Sequence, residues 1–120
     1  LRITSPAWKN TPRDKGGIGN VQYPIVADIT KEIARSYGVL FNESVALCGL
    51  FLIDKEGIVR HALINDLSLR RNVNEAMRML DALQFTQRHG EVCPANWREG
   101  EEAMKSTAEG LAGYLANHAG

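Results

Sequence analysis

A chain of 120 residues has room for one domain, at roughly 100–200 residues apiece. Its 44% hydrophobic and 23% charged residues are those of a globular protein, which excludes wholesale disorder, a collagen-like repeat and a disulfide-dense miniprotein. Fourteen basic side chains balance fourteen acidic ones, so no net field recruits nucleic acid or an anionic membrane, and neither is expected as a partner.

The chain opens on Leu1 without a signal-peptide pattern, and its apolar runs are far shorter than the ~18 residues of a spanning helix. Residues 5–10 read as the end of a helix. Thr11-Pro12 stops it, because the residue before proline is pushed out of the helical region. Residues 13–20 are charged and then glycine-rich, a flexible loop with none of the flanking pattern of a phosphate loop. Pro24 weakens any strand over residues 23–27. Asp28 or Thr30 can cap a helix that runs to Tyr37, with Ile29, Ile33 and Tyr37 as its apolar stripe and Gly38 as its stop.

Residues 45–53 are nearly continuous in apolar side chains, as expected of a strand buried on both faces. Asp54-Lys55-Glu56-Gly57 is a turn, and residues 58–64 return as the second strand of an antiparallel hairpin. Asn72 or Asn74 opens the strongest helix, through about Arg88, with Val73, Ala76, Met77, Leu80 and Leu83 on its buried stripe. His89-Gly90 ends it. Residues 91–106 are polar and broken by Pro94 and Gly100, an extended arm. A short last helix covers residues 108–116, anchored by Leu111, Tyr114 and Leu115. The fold class is α/β. One hairpin and one long helix make a thin core, so the chain looks like the second part of a larger sheet.

Two cysteines suit a reducing compartment, taken as the cytoplasm. Cys93 follows a helix inside the polar arm. There it is either an inconsequential surface thiol or an exposed one able to exchange with a disulfide or a sulfenic acid. Cys48 lies in an apolar strand and reads as a small buried hydrophobe. The two stand 45 positions apart, so no CxxC motif exists. His61, His89 and His118 lack metal-ligand spacing and read as solvated or core-satisfied; no metal and no cofactor is expected. Arg70-Arg71 is either an anion site or a solvated pair.

Six segments in order carry a resemblance: Ala7-Trp8-Lys9-Asn10-Thr11-Pro12, Gly16-Gly17-Ile18-Gly19, Val26-Ala27-Asp28-Ile29-Thr30, Gly49-Leu50-Phe51-Leu52-Ile53-Asp54, Ile64-Asn65-Asp66-Leu67 and His89-Gly90-Glu91-Val92-Cys93-Pro94-Ala95. With them the chain resembles the typical 2-Cys peroxiredoxins of the alkyl hydroperoxide reductase C type, over their C-terminal part. The resemblance implies a thioredoxin-like fold, with residues 1–90 the C-terminal part of that domain and 91–120 an arm and tail helix. It implies a homodimer, often in rings of dimers. It also implies a peroxidase for hydrogen peroxide and organic hydroperoxides, reduced by thioredoxin or a flavoprotein disulfide reductase.

Cys93 matches the family's resolving cysteine, which condenses with the oxidised peroxidatic cysteine of the partner subunit. Arg71 matches an active-site arginine. The motif Gly16-Gly17-Ile18-Gly19 with Tyr114-Leu115 resembles the pair found in members prone to overoxidation, although Leu115 replaces an aromatic residue.

Three departures stand out. No Pro-x-x-x-Thr-x-x-Cys peroxidatic motif occurs, so this chain alone is expected to be inactive. Cys48 occupies the place of a second active-site arginine, which removes a cation that would favour a thiolate. Arg70 replaces a glycine and would be strained if that position required a positive φ. The rival expectation is a non-catalytic assembly or chaperone-like protein of the same family.

Overall fold

The computed structural model describes residues 2–3 and 6–118; Ser5, the expected start of the first helical segment, lies outside them. The chain divides into two compact units, Leu1–Leu47 and Cys48–Gly120.

The first unit is built of short pieces. Strand β1 (Arg2–Ile3) pairs antiparallel with β2 (Val26–Ala27), and helix α1 (Pro6–Asn10) lies between them in sequence. The glycine-rich stretch is not the loose loop expected from its composition. A 3-10 turn over Arg13–Lys15 ends at Gly16, and backbone bonds tie Gly17 to Pro12 and Gly19 to Thr11. A Cβ on Gly17 would lie 1.9 Å from the Thr11 carbonyl oxygen, so only glycine lets the two strands of this turn close.

Helix α2 (Glu32–Ser36) is shorter than expected. The Asp28 carboxylate accepts from the Ile33 and Ala34 amides at 3.1 and 2.8 Å, satisfying first-turn donors as a cap does. Ile29, Ile33 and Tyr37 are exposed rather than buried; among the described residues of this unit, Ala34 and Val39 are the buried ones. The short strands β3 (Leu40–Phe41) and β4 (Val45–Ala46) form a separate antiparallel pair. The expected continuous strand over residues 45–53 is therefore two strands.

The second unit is a hairpin, a helix and a folded arm. Strand β5 (Cys48–Ile53) pairs with β6 (Val59–Asn65) from Cys48↔Asn65 to Leu52↔His61, with a bulge before Ile53↔Val59. Asp54 builds the turn. Its Oδ1 accepts from the Glu56 and Ile58 amides at 3.0 and 2.9 Å, and its Oδ2 takes the Arg60 Nε–H at 2.6 Å. Those bonds, the one from Ile58 foremost, hold the Asp54 carboxyl below its usual range. Gly57 closes the turn at φ 81°.

Alternation along the strands puts Cys48, Leu50 and Leu52 with Asn65, Leu63 and His61 on one face. Helix α3 (Val73–His89) packs against the hairpin, and its Met79, Ala82, Leu83 and Thr86 line one groove with Leu52 and His61. The opposite face is not buried as expected: Ala62 is exposed, and Ile64 is 45% exposed.

Asn72 caps α3, its side chain accepting from the Glu75 amide at 3.1 Å, and Gly90 ends it at φ 66°. The buried stripe is rotated from the expected one. Val73 and Met77 are exposed, and Ala82 is the buried residue of the helix. The rotation has a cause on each side, the hairpin groove on one and the arm on the other.

The arm is folded, not extended. Val92 and Met104 exchange two backbone bonds, at 2.7 and 3.0 Å, and close residues 92–104 into a loop. Inside it Trp97 is 1% exposed, the most buried large side chain described. Its ring lies 4.8 Å from that of Phe85, and its Nε1–H donates to the Glu101 carbonyl at 3.0 Å. Helix α4 (Ala108–His118) follows, with the Thr107 hydroxyl accepting from the Gly110 amide at 3.0 Å. Leu111 and Leu115 are exposed rather than anchoring; Tyr114 is half-buried and stacks on His118.

Candidate functional site

Cys93 stands four residues beyond the end of α3, on the first limb of the closed arm. Its thiol is half-buried, not exposed as expected, and lines an open groove of about 270 Å³ with Leu52, Arg60, His61, Met79, Ala82 and Val92. The Sγ donates a long bond to the Ala82 carbonyl at 3.8 Å. Burial pushes the Cys93 ionisation above its ordinary value of 9.0; the Arg78 guanidinium partly opposes the rise, and Glu91 adds to it. At neutral pH this is a protonated thiol poised in a groove, not a standing thiolate.

Arg78 fixes the arm to α3. Its Nε and Nη2 donate to the two Glu75 carboxylate oxygens at 2.8 and 2.7 Å, and its Nη1 donates to the Trp97 carbonyl at 2.9 Å. The paired fork raises the Arg78 pKa and lowers that of Glu75. One guanidinium thus spans the helix, its capping turn and the arm.

Cys48 and Arg71 lie at the other end of the hairpin. Cys48 is a free, half-buried thiol opposite Asn65. The Asn65 side chain donates to the Arg70 carbonyl at 2.8 Å and holds the turn that presents Arg71, which is exposed. Arg70 does not take a positive φ, so replacing a glycine there brings no backbone strain. Cys48 and Leu52 are four residues apart along β5, roughly 13 Å at the strand rise. The structure therefore puts Cys48 at the hairpin end where the chain leaves toward Arg71 and Cys93 in the groove with Leu52, and both cysteines are free.

Three contributors carry no mark in the sequence that singles them out. Trp97 and Arg78 had no periodic signal. His61 reads as a solvated or satisfied histidine, yet its Nε2 is buried and has no hydrogen-bond partner. Leaving such a group unpaired costs on the order of 1–3 kcal/mol. Strand alternation was the available clue, because it puts His61 on the same face as Leu63 and opposite Leu52.

Comparison with known proteins gives a consistent result. Residues 4–62 match the model of the AhpC/TSA family, and residues 82–117 match that of the C-terminal domain of 1-Cys peroxiredoxin. The chain is 62% identical over 109 residues to an alkyl hydroperoxide reductase C of Helicobacter pylori, covering 91% of this chain and 55% of that protein. The reduced 2-Cys peroxiredoxin of Plasmodium vivax superposes with a TM-score of 0.87 at 50% identity, over 92% of this chain and 57% of that one. A Plasmodium yoelii relative, described as an artifactual octamer when modified at its N-terminus, matches with a TM-score of 0.64 at 57% identity, over 78% of this chain and 54% of that one. The chain spans a little over half the length of the relatives it matches.

Proposed function

Since the chain belongs to the AhpC/TSA family and has the α/β fold of the peroxiredoxins, we propose that it serves a thiol-dependent peroxidase as the part that carries the resolving cysteine. A peroxidatic thiolate, absent from this chain, attacks a hydroperoxide and becomes a sulfenic acid, releasing an alcohol or water. The Cys93 sulfur of a partner subunit then attacks that sulfenic sulfur, forming a disulfide and expelling water. Thioredoxin or a flavoprotein reductase returns both thiols. Arg71, an exposed cation next to the Arg70 carbonyl that Asn65 holds, supports the peroxidatic thiolate. Cys48 replaces the second cation of that site.

The observation that carries the reading is the position of Cys93. It is a free thiol in an open groove, on an arm tied to the helix by one guanidinium and one tryptophan. Two free cysteines fit a reducing compartment such as the cytoplasm, and among the described residues no helix is long and apolar enough to cross a membrane.

The test uses the whole protein with its peroxidatic half. One equivalent of hydrogen peroxide should give a dimer on a non-reducing gel, and Cys93→Ser should abolish it. A dimer that persists in Cys93→Ser and is lost in Cys48→Ser would transfer the resolving role to Cys48.

A further inference from the structure

We propose that Arg78 is the latch of the arm, a positioning residue that keeps Cys93 withdrawn in its groove and must release the Trp97 carbonyl before that sulfur can cross to a partner subunit. The inference rests on the resolving role above and names what regulates it.

The Val92–Met104 bridge shuts the arm on itself, with Cys93 on its first limb. Among the described residues, a single hydrogen bond shorter than 3.5 Å joins that closed loop to α3. It runs from the Arg78 Nη1–H to the Trp97 carbonyl, at 2.9 Å. The thiol's own bond to the Ala82 carbonyl is 3.8 Å long, and a thiol is a weak donor. Glu75 grips the guanidinium from its other edge, with bonds of 2.8 and 2.7 Å. A planar fork held on one edge aims its remaining N–H along a fixed line. The Arg78 side chain is 21% exposed and that of Glu75 35%, so water competes with these bonds only in part.

The guanidinium acts on the sulfur in two ways of opposite sign. As a cation on α3 it favours a Cys93 thiolate, while Glu91 on the arm disfavours one. As a latch it keeps the sulfur half-buried, which disfavours the thiolate and shields it from reagents. From β6 the groove receives Arg60, neutralised by Asp54, and His61, whose Nε2 is sealed from solvent. Loss of the cation alone would slow Cys93; loss of the latch would speed it. Burial outweighs the Arg78 charge in the folded chain, so the second effect wins.

The test is alkylation of the intact 120-residue chain by iodoacetamide, an uncharged reagent that the lost cation does not steer. Peptide mass spectrometry follows Cys93 and Cys48 separately from acid to alkaline pH. In Arg78→Met the Cys93 rate at pH 7 should rise about five-fold or more. Its alkaline rise should move down toward pH 9.0. Arg78→Lys keeps the charge but not the planar fork, and should also be faster than wild type. Glu75→Gln keeps the guanidinium but loosens its grip, and should fall between wild type and Arg78→Met. Cys48, at the other end of the hairpin, should keep its rate in all three, which a general loosening of the fold would not allow.

A slower Cys93 in Arg78→Met, with its alkaline rise moved up, overturns the latch and leaves only the cation. An unchanged rate overturns it too, as does an Arg78→Lys chain no faster than wild type, or a Cys48 that speeds up with Cys93. Circular dichroism checks that the variants fold, and Glu75→Gln decides the matter should the Arg78 variants fail to. Because this readout needs no partner subunit, its outcome is separate from that of the Cys93→Ser dimer test.

Discussion

Residues 91–106 have no regular helix or strand, yet they contain the most buried large side chain described, Trp97. Helix α4 is eleven residues of regular helix and buries none of them. Regular backbone and packed side chains are separate achievements. The arm satisfies its polar groups through a two-bond bridge, an indole donor and one guanidinium bond from α3, and these close around one aromatic ring. The tail satisfies its backbone within the helix and leaves its apolar side chains, Leu111 and Leu115, to water.

The sharpest way to break this contrast is to remove the ring. Trp97→Ala should destabilise the second unit by about 3–5 kcal/mol, the range for truncating a buried aromatic. A denaturant melt followed by circular dichroism measures it. The same variant should change the chemistry of Cys93. The fold raises the ionisation of that thiol, so its neutral form adds stability at pH values below the ordinary 9.0. That stability is lost as pH rises through the folded value. With the arm released, the alkaline rise in Cys93 reactivity should move down toward pH 9.0. A loss under about 1 kcal/mol, well below the range for a buried aromatic, with an unmoved pH curve would mean that the arm does not depend on its tryptophan.

This contrast also explains what the sequence made legible. Period and punctuation found α3 almost to the residue, since Asn72 caps it and Gly90 ends it in a left-handed conformation. The Asp54 turn and the hairpin were equally plain, because turn chemistry is local. The resemblance over six short segments named the family that the comparisons then matched.

What failed was anything decided by which surface meets which. Val73 and Met77 fit the helical period but face outward, because the hairpin and the arm claim other sides of α3. Cys93 was expected on an open arm and is half-buried, since Trp97 and Arg78 draw the arm onto the helix. A lone tryptophan among polar residues carries no period, so its burial was invisible.

A smaller effect tests the second fastening. Arg78→Met keeps the aliphatic stem but removes the bond to the Trp97 carbonyl and the fork on Glu75. The loss should be roughly 1–3 kcal/mol, as for a charge-assisted hydrogen bond. Glu75 should at the same time regain an ordinary carboxyl titration, visible by NMR. If the double variant with Trp97→Ala loses no more than Trp97→Ala alone, the guanidinium acts only by holding the ring.

The smallest expected change lies in the tail. Leu115 is 52% exposed and Leu111 46%, so Leu115→Ala removes little area from contact and improves helix propensity. The intact 120-residue chain should lose less than about 0.5 kcal/mol. Repeated on the protein with its remaining half and in its assembled state, the same substitution becomes a gauge of whether that surface is covered. A loss above about 1 kcal/mol there, with none in the 120-residue chain, would mean that α4 keeps its leucines for a surface that this chain does not itself supply. An unchanged value in both would mean that Leu115 stays in water in the assembled state as well.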